Sequence, residues 1–133
     1  MGISSDGIVA FGFPLGNEDF EFPERMTAYL DPNDEGASFD FDDFIAHEAG
    51  LADAEYNERR EAREKFPVEL IGYCSYDYTM HFLAVLGTEH RCCRGEATEF
   101  IPTTPNYAAL KEFCEKYGLE WKQPGWYVMS MYG

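Results

Sequence analysis

Basic residues are almost missing from the first 58 positions, where Arg25 stands alone against 15 acids, a net charge of −14. The remaining residues hold 10 acids and 9 bases and are nearly neutral. The whole chain therefore carries −15, with a sequence pI near 4.3. A surface of that sign opposes any broad grip on phosphate backbones or anionic lipid, so neither nucleic acid nor a membrane is expected as a direct partner. Long apolar runs are lacking too, and nothing approaches the roughly 20 residues of a membrane span. The first residues show no basic segment leading into an apolar signal core. Met1-Gly2-Ile3-Ser4-Ser5-Asp6 places Asp6 where a myristoylation signal needs Ser or Thr. The expectation is a cytoplasmic protein with reduced thiols.

Aromatic residues are not lacking. Eleven Phe, nine Tyr and two Trp supply far more apolar area than disordered chains carry, and 133 residues suit one domain spanning 1–133. Gly7 to Phe13 reads as a buried strand closed by Pro14 and Gly16, and Glu24 to Leu30 as room for one short helix. Phe41, Phe44, Ile45 and Ala49 recur at helical spacing between the cap Asp40 and the stop Gly50. A second helix is expected from Asp53 to Phe66, supported by Glu55 with Arg59 and Glu61 with Lys65. Val68 to Tyr73 and Thr79 to Leu86 read as a hairpin whose second strand lies inside the sheet, with Ala97 to Ile101 as a further strand. Thr104-Pro105 is expected to open a helix with the stripe Leu110, Phe113, Cys114 and Tyr117, and Trp126 to Tyr132 to close the domain as a buried strand. The order predicts an α+β domain: about three helices on a mostly antiparallel sheet of four to five strands.

Three constellations bear on chemistry. Asp31, Asn33, Glu35 and Asp42 fall at positions 1, 3, 5 and 12 of a calcium loop, with Gly36 at position 6. Glu at position 5 and Asp at position 12 depart from that pattern, and an acidic turn leading into a helix cap explains the same residues. His90, Cys92, Cys93, Cys74 and Cys114 offer zinc ligands, yet the chain has no C-x-x-C, and adjacent strand cysteines point to opposite faces. No metal or other cofactor is expected. Cys74, Asp77 and His81 lie around one hairpin and form the alternative of a small thiol enzyme, without a nucleophile elbow or oxyanion hole. Arg59, Arg60, Arg63 and Lys65 interleave with glutamates and read as a salt-bridged helix face.

A folded chain of this mass exposes about 7,100 Å². On a proportional share, the first 58 residues carry about one net charge per 220 Å², within a factor of about two of duplex DNA. Imitation of a nucleic-acid backbone is thus physically possible.

The segments Ile3-Ser4-Ser5-Asp6-Gly7-Ile8-Val9, Gly72-Tyr73-Cys74-Ser75-Tyr76-Asp77-Tyr78-Thr79-Met80 and Pro124 to Gly133 resemble small uncharacterised proteins of actinobacterial phages and their hosts. The resemblance implies an intracellular accessory protein, acting in the host cytoplasm if phage-encoded, and brings no catalytic residues. The leading expectation is a non-enzymatic binding or inhibitor protein that engages a basic surface of a host or defence protein through Asp31, Asp34, Glu35, Asp40, Asp42, Asp43 and Glu48. The thiol enzyme and a self-associating assembly protein remain as alternatives, and the oligomeric state stays open.

Overall fold

The computed structural model describes residues 5–17, 19–75, 78–93 and 95–132. They form one α+β domain with elements in the order β1 (Ser5–Gly16), α1 (Glu24–Thr27), α2 (Phe41–Glu48), α3 (Tyr56–Lys65), β2 (Val68–Ser75), β3 (Thr79–Val85), β4 (His90–Cys92), α4 (Ala108–Tyr117) and β5 (Gly125–Tyr132). The mixed, mostly antiparallel sheet has the order β3-β2-β5-β1-β4. A further pairing of β1 with β3 joins four of these strands into a ring, β1-β3-β2-β5. Its narrowest seam is the parallel contact of β2 with β5, where Cys74 meets Met131 and Ser75 meets Tyr132.

Alternation along the strands sorts two cores, one on each face. Ile8, Ala10, Ile71, Phe82, Ala84 and Met129 point into the ring and pack on one another. A ring of four strands is too narrow for a lumen, so side chains fill it. The opposite parity, Phe13, Leu70 and Leu83, faces outward and meets Phe44, Ile45, Leu110, Phe113, Cys114 and Tyr117 from the helices.

The length of β1 makes this closure possible, and two residues handle its consequences. One edge of β1 pairs with β5 from Ser5 to Gly12; the other pairs with β4 at residues 7–9 and with β3 from Gly12 onward. Gly12 is where both partners meet the strand, and a Cβ there would lie 1.9 Å from the Leu83 carbonyl oxygen and 2.8 Å from the Ala84 Cα. Only glycine permits that approach. Phe11 falls in the gap between the β3 and β4 ladders. Its N–H donates to the hydroxyl of buried Thr88 at 3.2 Å, while that hydroxyl reaches the Val85 carbonyl at 2.7 Å. One side chain thereby replaces a missing ladder bond.

Several local expectations change. Pro14 lies within β1, at a register shift between Pro14 and Gly16, rather than after it. Proline is tolerated at such an irregularity because the ladder bond it cannot donate is already interrupted. Residues 97–101 form no strand; the short strand is His90–Cys92, which finds an open edge of β1, while Phe100 packs on Trp126 and His90. α3 starts after Glu55, not Asp53, and α4 after Tyr107, with Asn106 Oδ1 accepting the Ala108 N–H at 3.0 Å. In β5, Val128 is 82% exposed, so that strand is buried on one side only. Among the described residues no helix is long and apolar enough to cross a membrane.

Candidate functional site

The acidic segment is folded onto the outer face of the ring by its aromatic residues. Phe22 stacks on Phe39 at 4.2 Å, and Phe44 lies against Tyr117 at 5.1 Å. The hydroxyl of Tyr29 donates to the Asp40 carbonyl at 3.0 Å and accepts the Asp40 N–H at 2.9 Å, which closes the loop between them. Arg25, the one base of this segment, donates to the Lys116 carbonyl at 2.9 Å in the last turn of α4. It therefore complements a helix end, and no ion pair among the described residues ties it to a carboxylate.

With the apolar side chains turned inward, the acids are turned out. Every described carboxylate from Asp19 to Glu58 is exposed, including Asp31, Asp34, Glu35, Asp40, Asp42, Asp43 and Glu48. Four of those seven also have structural work. Asp40 caps α2, its Oδ1 accepting the Asp43 N–H at 3.1 Å. Asp43 pairs with Arg59, and Asp42 with Arg63 at 3.2 Å. Glu48 accepts the Tyr117 hydroxyl at 2.6 Å; burial, then that carboxylate, pushes the Tyr117 pKa well above its ordinary value. The loop acids are committed only locally: Asp31 Oδ1 accepts the Asn33 N–H at 2.9 Å and Asp34 Oδ1 the Gly36 N–H at 3.0 Å. Both are Asx turns that leave the outer oxygens to solvent.

The cations of α3 do not follow the spacing expected from sequence. The ion pairs of Arg59 and Arg63 cross to α2, and the pair within α3 is Arg60 with Glu64 at 3.7 Å. Since α3 buries no residue fully, these crossing pairs and the partly buried Ala62 and Phe66 seat it. Sequence spacing sees only neighbours on one helix and is blind to a second helix alongside.

The residues of a calcium loop are held apart in role, because Asp42 sits on α2 against Arg63 while Asp34, not Glu35, turns onto Gly36. Cys92 lies in β4 opposite Gly7, with its thiol 3.2 Å from the Glu96 carbonyl. Among the described residues, no three His, Cys, Asp or Glu side chains are grouped to hold a metal ion. Around the hairpin, Cys74 is opposite Thr79 and His81 opposite Gly72; Asp77 lies outside the described residues. His81 packs against Phe22 at 5.3 Å, and burial lowers its pKa from the ordinary histidine value. Cys74 has a left-handed backbone with φ 84° within β2, at the residue that pairs with both Thr79 of β3 and Met131 of β5. Cys114 is buried, and burial pushes its thiol up to about 11.

A cleft of about 430 Å³, which no pattern in the sequence marks, lies between α2, α3 and the start of β2. Phe41, Ile45, Val68 and Leu70 supply its apolar lining; Asp42, Glu64, Glu69 and Glu89 bring four carboxylates to it against Arg63. Glu69 and Glu89 belong to the nearly neutral part of the chain, one in β2 and the other in the connection between β3 and β4, so no local spacing marks them.

The exposed area is 8771 Å², larger than mass alone predicts, so the net charge of the first 58 residues spreads to roughly one per 270 Å² on a proportional share. Compared with known proteins, the chain has no match among protein-family models, curated proteins or solved structures.

Proposed function

We propose that this chain is a non-enzymatic acidic binding protein that engages a basic surface of another protein, with a host or defence protein as the partner and its nucleic-acid site as the surface covered. One observation carries the reading. Of the exposed carboxylates from Asp19 to Glu58, ion pairs among the described residues engage only Asp42 and Asp43. Acids serving mere solubility need no segregation, whereas these share one segment most of whose large apolar side chains are turned the other way, Tyr56 excepted. Complementary charge of this kind speeds encounter and selects partners by sign.

Asp31, Asp34 and Glu35 give the cleanest test. Asp31→Asn, Asp34→Asn and Glu35→Gln remove three charges and keep the Asx turns, because an asparagine carbonyl accepts the same N–H. Affinity capture from host lysate at low and high salt should show a partner released by salt and held more weakly by the triple variant. Capture that is indifferent both to salt and to these substitutions overturns the reading.

A further inference from the structure

We propose that the cleft between α2, α3 and β2 receives an arginine side chain of the partner, with the alkyl stem on Phe41 and Leu70 and the guanidinium at Glu69 and Glu89. The proposal deepens the preceding one and rests on it for the identity of the occupant as a protein with a basic surface.

The cleft is amphipathic in the way an arginine is. Its apolar floor continues the helix-side core, since Ile45 and Val68 are buried at 1% exposure and Phe41 and Leu70 pack partly exposed against it. An arginine lays its three methylenes on such a surface and keeps its charged head at the rim.

Charge decides the sign of the occupant. Three of the four lining carboxylates have a cation already: Asp42 has Arg63 at 3.2 Å, Glu64 has Arg60 at 3.7 Å and Glu89 has Arg91 at 3.1 Å. Glu69 has no ion pair among the described residues. Burial raises its pKa, and the nearby charge of Glu89 raises it further, against the weaker opposing effects of a Gly87 backbone bond and of Arg63. An ionised Glu69 is thus held at a cost that an incoming cation removes. A guanidinium suits this better than an inorganic ion or an ammonium, because it is weakly hydrated and its planar fork can serve two carboxylates. The loop acids Asp31, Asp34 and Glu35 also attract cations, but all three lie on an exposed loop.

The experiment is a titration of the intact chain by ¹⁵N–¹H NMR with blocked arginine (N-acetyl-arginine amide), methylguanidinium and blocked norleucine in parallel. Blocked arginine should shift the amides of Glu69, Leu70 and Glu89 and bind at least about tenfold more tightly than methylguanidinium, the stem contributing through buried methylenes. Blocked norleucine should leave those amides in place. Glu69→Gln with Glu89→Gln should weaken blocked arginine by about tenfold or more. Glu89→Gln alone, at a strand-connecting turn, gives the same direction if the double variant melts early. Equal affinity for blocked arginine and methylguanidinium, shifts centred on residues 31–36, or unchanged binding by a folded variant each overturn the proposal. Failure here with salt-dependent capture intact removes the cleft and leaves the acidic-partner reading; cleft binding with capture indifferent to charge does the reverse.

Discussion

The strand ring and the helical layer that covers it are held by different physics. Inside the ring, Ile8, Ala10, Phe82 and Ala84 are fully buried, backbones approach to the limit that Gly12 allows, and no titratable side chain is among the buried residues. In the layer outside, aromatic rings pack at centroid distances near 5 to 6 Å, while Cys114 and Tyr117 bring ionisable groups into the core. Ion pairs between exposed side chains seat α3. Both regions are therefore sensitive to volume, but the layer holds the more deeply buried titratable groups, while the ring has only the partly buried Tyr73 against it. In the proposed function, the ring is the support and the layer presents charge.

The largest expected effect comes from breaking the ring at its tightest point. Gly12→Ala places a Cβ where the Leu83 carbonyl stands, and since that obstacle is backbone, strands must separate to admit it. Overpacking of this sort costs about 3 kcal/mol or more. Denaturant unfolding of the variant should show that loss, or no cooperative transition at all; a loss below about 1 kcal/mol means that β1 and β3 are not closed as described.

Gly12 also marks the limit of what the sequence can tell. The strand from Gly7 to Phe13, the helix after Asp40, the stripe on α4 and the hairpin after Val68 were all legible, because each is written in local periodicity and caps. The closure of the ring was not legible. It depends on which strand meets which edge of β1, and Gly12 and Thr88 look like any turn or strand residues until those edges are known. The seven acids chosen from sequence are all exposed, as composition suggested, but nothing local assigned Asp42 and Asp43 to the arginines of α3 or put Glu69 beside Glu89.

A smaller effect should separate the two regions by pH. Cys114 has a folded-state pKa of about 11 against an ordinary 9.0, and Tyr117 is raised in the same direction. A group raised on folding contributes stability that is fully present below its unfolded pKa and is lost as pH climbs toward the folded value. The window therefore opens near pH 9, and Cys114 alone should account for about 1 kcal/mol by pH 10. Methyl NMR between pH 8 and 10.5 should show Leu110 and Ile45 losing their dispersed shifts before Ile8 and Ile71. Cys114→Val should move the onset upward. Simultaneous loss at all four sites contradicts a division in which the layer answers to pH first, from Cys114, and the ring only later, from Tyr73.

The smallest effect concerns the seat of α3. Arg59 and Asp43 are partly exposed, with side-chain exposures of 35% and 52%, and the Arg59 Nε is buried with no partner among the described residues. An exposed pair contributes about 0.2 to 1 kcal/mol, and an unsatisfied donor takes some of that back. A double-mutant cycle with Arg59→Met and Asp43→Ala should give a coupling energy within that range, falling as salt is added. The global unfolding midpoint should barely move, whereas amide exchange in residues 56–65 should quicken, because α3 has little else to hold it. A coupling energy well above 1 kcal/mol that survives high salt makes the pair part of the rigid core. The boundary between support and charge-bearing layer then lies outside α3 rather than beneath it, and Asp43 is no longer available to any partner.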